Sequence, residues 1–258
     1  MLIQRYLRLF LFLICSYWSN AQNEFDQYQE AFDQVELYSI ENEVDLGILE
    51  LEAVLQKAEK NGNSKLLIAV YHKIAELYLE NQNLDSATFY LSRTRLMLSQ
   101  NLYPFANSYQ KYLEGLREYR VQEKNLITQR SIAKAEALID ESQMASNDIK
   151  LLEKRQYLKA KLHTLQDDND ESEELLNALV VKSDDLIKLK ASRDLAQWYL
   201  AQARPKDAIY FANLALDLSL KYNLKKLGLA LKKVLIQAYY DTKNYEEALG
   251  LTLELIEH

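Results

Sequence analysis

The stretch Leu235-Ile236-Gln237-Ala238-Tyr239-Tyr240-Asp241-Thr242-Lys243-Asn244-Tyr245-Glu246-Glu247-Ala248-Leu249 decides the fold. An apolar run with small residues at helical spacing meets a polar turn, and a second helix opens on the acidic pair Glu246-Glu247 before Ala248. Acids in a first turn sit at the positive end of the helix dipole. The stretch reads as a helical hairpin. The same grammar recurs upstream. Tyr71-x2-Ile74-Ala75-x2-Tyr78 leads to Ala87, and Ser192-x2-Leu195-Ala196-x2-Tyr199 leads to Ala208, as Lys232-x2-Leu235-Ile236-x2-Tyr239 leads to Ala248. In all three the tyrosine precedes the alanine by nine positions.

Positions three and four apart share a helix face. A small residue in each helix lets the two axes approach, and the tyrosine ring fills the wedge beside that contact with its hydroxyl near a polar rim. Ala208 and Ala248 lie 40 residues apart, and 40 residues before Ala87 stands Gly47, another small residue. The period is therefore near 40.

The pattern resembles the tetratricopeptide repeat (TPR), whose units of about 34 residues read W-x2-L-G-x2-Y and then A-x3-F. The resemblance is carried by the three hairpins above, with Tyr71, Ser192 and Lys232 in place of the tryptophan and Ala75, Ala196 and Ile236 in place of the glycine. Between them, Tyr112-x2-Gly115-x3-Tyr119 and Leu151, Leu158, Leu162 and Leu165 keep helical periodicity without the small-residue signature. The resemblance implies an all-α fold, a right-handed TPR-like α-α superhelix of about six hairpins. It also implies a non-catalytic scaffold that binds a protein or peptide. In TPR proteins the first helix of each hairpin lines the concave groove. That places His72/Glu76, Arg193/Gln197 and Lys233/Gln237 on ligand-facing positions, with Leu200 and Tyr240 as apolar contacts. The cation-plus-amide pairs would form a ladder for carboxylates or peptide backbone.

Composition agrees with a helical chain, since only 5 Gly and 2 Pro occur among 258 residues. Pro104 and Pro205 each precede an amphipathic run and suit a first helical turn. No Gly/Ser-rich linker divides the chain. Residues 1–21 read as a secretory signal peptide: Arg5 and Arg8 without an acid, the apolar run from Leu9 to Cys15, and the small-residue end Ser19-Asn20-Ala21. Residues 22–258 would form the repeat domain, exported to the periplasmic or extracellular face of a bacterial cell envelope. The leader's apolar run is too short for a bilayer span, and the mature chain is expected to have none. Cys15 is the sole cysteine, so the mature chain would carry neither a disulfide nor a thiolate metal site. The net charge of −7 and the lack of a basic stripe argue against nucleic acid.

No motif for catalysis, cofactor or metal emerges. His72, His163 and His258 lack metal-ligand spacing, and no H-E-x-x-H, G-x-S-x-G, P-loop or G-x-G-x-x-G occurs. His163 reads as a helix-surface residue. The acidic run from Asp167 to Glu174 fails calcium-loop spacing, because a loop from Asp167 would need glycine at Ser172 and glutamate at Ala178. It is read instead as a helix start, with Asp170 as N-cap and Glu173 as capping-box partner. At the other end, Leu251, Leu255 and Ile256 are expected to form an uncovered apolar stripe, through which the C-terminal hairpin would self-associate. The extracytoplasmic sensor arms of histidine-kinase or helix-turn-helix regulators are also similar, over the repeat region. An α-helical envelope enzyme is the remote alternative.

Overall fold

The computed structural model describes residues 28–100, 103–124, 129–143 and 148–256. The expected leader, residues 1–21, lies outside them, as does His258. The described residues form twelve helices and no strand. The first, α1, runs over residues 28–40. It is followed by α2 (Val44–Lys60), α3 (Ser64–Glu80), α4 (Leu84–Ser99), α5 (Pro104–Lys124) and α6 (Gln129–Gln143). Then come α7 (Ile149–Leu165), α8 (Asn169–Lys182), α9 (Asp185–Ala201), α10 (Pro205–Lys221), α11 (Lys225–Asp241) and α12 (Tyr245–Ile256). Both prolines open helices, where their missing N–H costs nothing.

The period has a backbone cause. Left-handed residues recur every 20 positions, at Asn42, Gly62 and Gln82 and again at Ala203, Asn223 and Lys243. At each, the amide one residue further on donates to a carbonyl of the last helical turn, as Asn63 does to Ala58 and Arg204 does to Tyr199. This closes the helix end and satisfies carbonyls that would otherwise be orphaned. A helix of 17 residues, the length of α2, α3, α9, α10 and α11, followed by such a turn, makes half a repeat. Asn63 and Asn83 then cap the next helix, accepting from the amides of Leu66 and Ser86.

The small residues lie at crossings. Ala75, Ala87, Ala196 and Ala208 are fully buried, and Ala248 is buried as well. At Gly47 a Cβ would stand 2.7 Å from Leu77 Cδ2, so any larger residue there would require Leu77 to repack. Tyr199 fills its wedge and stacks on Phe211 with ring centroids 5.4 Å apart, while its hydroxyl donates to Glu173 at the rim.

Successive helices pack on one another from α2 to α12, and α3, α5, α7, α9 and α11 also touch in order, forming a continuous row. Across this row lies α1. Its Phe32 and Val35 enter the core of α2 and α3 beside Leu51, Val54 and Ile74. Its Leu37 and Ile40 pack on Leu189, Leu224, Leu227 and Leu231 of the α9–α11 region. Burying Phe32 and Val35 stabilises by about 1.5–3 kcal/mol each, and the half-buried Leu37 and Ile40 contribute less.

Two local expectations are corrected. The helix after the acidic run starts two residues early, with Asp168 at the N-cap and Asp170 inside the first turn. The preceding turn through Asp167, at φ 58°, fixes that start, and the Asp168 carboxylate is engaged by His163 Nδ1 at 3.0 Å. On α12 the apolar face turns differently. Of the expected stripe Ile256 is exposed, but Leu251 and Leu255 are half-buried, and Leu249 and Leu253 are exposed instead.

Candidate binding groove

The odd-numbered row carries charge on the face that α1 covers. Glu36 of α1 reaches three helices at once: Lys73 Nζ at 3.9 Å, Lys154 Nζ at 3.3 Å and Lys190 Nζ at 4.0 Å. Lys154 also holds Glu76 at 2.7 Å, and Glu76 accepts from Tyr109 Oη at 2.7 Å. Burial raises the Glu36 carboxyl, but Lys154, Lys73 and Lys190 together outweigh it and pull the pKa down to about 2. Glu76 is lowered for the same reason: Lys154 and Lys73 overcome the cost of its burial. The far end of α1 is tied by Glu41, whose carboxylate accepts from the amides of Lys226 and Leu227 at the start of α11. That start is the positive end of the helix dipole.

Two cavities flank α1. One, of about 410 Å³, presents mainly apolar surface, from Phe32, Phe105, Tyr109 and Leu151 among others, and is rimmed by charged side chains such as Lys65 and Lys150. Phe105 is 49% exposed and stacks on Tyr109. The other, of about 300 Å³, lies among α1, α3, α5, α7 and α9 and is lined by Arg120, Lys161, Lys190 and Arg193.

The residues expected to touch ligand separate into two groups. His72 lines the larger cavity and Glu76 lies beside Lys154 and Tyr109, and both are buried and internally partnered. His72 Nε2 is 2.9 Å from Gln110 Oε1, and burial pushes its pKa down to about 4 against that hydrogen bond and Glu76. Arg193 is held by Asp194 at 2.9 Å and donates to Tyr157 Oη at 3.2 Å. Gln197, Lys233, Gln237 and Tyr240 are exposed, and Leu200 is half-buried. The two cation-amide pairs therefore do not repeat: Arg193 lines the smaller cavity, whereas Lys233 is open to solvent. Sequence reasoning missed Glu36, Lys154 and Lys190. Their partners stand up to 154 residues away in the chain, and locally they read as ordinary charged helix positions.

Among the described residues no helix is long and apolar enough to cross a membrane, and no cluster of three His, Cys, Asp or Glu side chains is arranged to hold a metal ion. Comparison with protein-family models and with curated proteins finds no match.

Proposed function

We propose that this chain is a non-catalytic scaffold of the TPR type, a right-handed α-α superhelix exported to the bacterial cell envelope, where it holds a protein or peptide. The observation that carries this reading is α1 itself. An amphipathic helix with an acid at its centre lies across the odd-numbered row, bound at both ends and in the middle. The row is thus chemically suited to a helical segment, and the apolar cavity of about 410 Å³ leaves part of it open. An apolar side chain from a partner segment would enter there, against Phe105 and Tyr109.

The test pairs capture with a variant. The wild-type chain and Phe105→Asp are each used to retain partners from an envelope extract of the native host. Phe105 is half exposed and stacks on Tyr109, so the two chains are compared at a temperature where melts show both folded. A partner held by the wild type and lost by Phe105→Asp supports the reading. Equal retention by both contradicts it.

The second reading is the sensor arm of a longer membrane regulator. The smaller, cation-lined cavity favours it, because its volume suits a small ligand better than a peptide.

A further inference from the structure

The geometry points to the cavity of about 300 Å³ as a binding site for a small anion bearing carboxylate or phosphate oxygens, gripped by Arg120, Lys161, Lys190 and Arg193.

Charge balance is the first support. Among the described residues lining the cavity, Glu80 is the only acid against those four cations. The chain as a whole is acidic, at −7, so a cationic interior does not follow from composition. Behind the wall the balance is closer: with Lys73 and Lys154, which share Glu36 with Lys190, six cations meet the five carboxylates Glu36, Glu76, Glu80, Glu123 and Asp194, an excess of one. Asp194 is shared by Lys161 at 3.1 Å and Arg193 at 2.9 Å. Glu80 is shared by Arg120 and by Lys190, the latter at 3.4 Å, and Glu123 takes a further bond from Arg120. Lys190 is the least committed, since its other contact, Glu36, is 4.0 Å away.

Donor capacity is the second support. A lysine brings three N–H donors and no acceptor, and an arginine brings five in a planar fork. Four such groups face a set of acceptors already divided among them. Arg120 Nε is buried with no hydrogen-bond partner. That nitrogen is closed off from the cavity, and oxyanion oxygens there would instead meet the partly exposed N–H groups of Lys161 and Arg193. The fork geometry of Arg120 and Arg193 matches carboxylate and phosphate in particular.

Size is the third. The volume is at the lower end of the roughly 300–1,000 Å³ of small-ligand sites. It excludes a folded partner. The wall is a junction of five helices, so an anion there would bridge α5, α7 and α9 beside the end of α1.

The test measures melting of the full wild-type chain in inorganic phosphate and, separately, in citrate, at ionic strength matched with sodium chloride. A ligand of the folded state raises the melting temperature as its concentration rises. Lys161→Met removes one cation whose side chain is 28% exposed, and Lys233→Met serves as an exposed control. The expected result is a rise with at least one anion, an affinity at least tenfold weaker in Lys161→Met, and no change in Lys233→Met. The arm that responds separates phosphate from carboxylate. If Lys161→Met fails to fold, the rate of lysine acetylation in the wild type, read by mass spectrometry, takes its place: the anion should slow Lys161 and leave Lys233 unaffected. No rise with either anion, an equal rise in both variants, or unprotected Lys161 overturns the proposal. None of these outcomes bears on whether a partner docks at Phe105.

Discussion

Glu36 and Lys154 meet 3.3 Å apart although 118 positions separate them in the chain. This contact seats α1 on α7, and its pH dependence follows from its chemistry. Glu36 is held down to about 2 from the ordinary 4.5. A carboxyl lowered in the folded state contributes stability that is full above its unfolded pKa and is lost as pH falls through the folded value. The Glu36 contribution should therefore disappear between about pH 4.5 and pH 2. Glu36→Gln should lower stability at pH 7 by about 3 kcal/mol, because the three lysines lose a buried counter-charge. Denaturant melts at pH 7 and pH 3 check this: the wild type and the variant should differ clearly at pH 7 and converge toward the acid limit.

His72 titrates in a different window. Its folded pKa is about 4 against 6.5 unfolded. The unfolded chain takes up the proton first, so stability falls as pH drops from 6.5 toward 4 and the loss then levels off. In His72→Gln that part of the profile should flatten. An unchanged slope between pH 6.5 and pH 4.5 would show that His72 is not held neutral by burial.

Arg193 and Lys233 separate under charge reversal. Arg193→Glu places an acid against Asp194 and should destabilise by about 3 kcal/mol or more. Lys233→Glu lies on an exposed face and should change stability by less than about 0.5 kcal/mol. Thermal melts of the two variants decide it. The sequence pattern alone treats them as equivalent.

Ala208 is fully buried at the crossing of α9 and α10. Overpacking such a site costs about 1–3 kcal/mol, sometimes more. Ala208→Trp should show a clearly lower melting temperature, and an unchanged melt would mean that this crossing is absent. Gly62→Ala tests the turn instead. Its φ is 61° and nothing lies within 4 Å of the added Cβ, so any loss, about 1 kcal/mol, comes from the backbone alone.

The exposed face of α12 gives a test of association. Leu249→Glu with Leu253→Glu removes apolar surface that is 59% and 52% exposed. The fold should survive. If the hairpin self-associates through this face, sedimentation of the wild type should show a dimer and the variant a monomer. A wild type that sediments as a monomer at every concentration removes self-association from the account.

The hairpins were legible because their causes are local. Ala75 with Ala87 and Ala196 with Ala208 sit at fixed offsets, and Pro104 and Pro205 mark helix starts. The seat of α1 was not legible. Nothing within a helix period of Phe32, Glu36 and Leu37 names Lys154 or Leu227 as a partner. Two of the three α12 stripe positions, Leu251 and Leu255, were misplaced for a related reason. Leu251 and Leu253 lie on different faces of one short helix, and only the neighbouring core decides which is covered.

The most direct measurement is a zero-length crosslink between Lys226 and Glu43, whose side chains stand 3.0 Å apart beside the turn that ends α1. Dilute chain is treated with a carbodiimide and digested, and joined peptides are identified by mass spectrometry. The account predicts an intramolecular link between Lys226 and Glu43 or Glu41, whose yield does not depend on protein concentration. Crosslinks confined to sequence neighbours, with none joining residues 28–43 to residues 190–226, would contradict an α1 that spans the row.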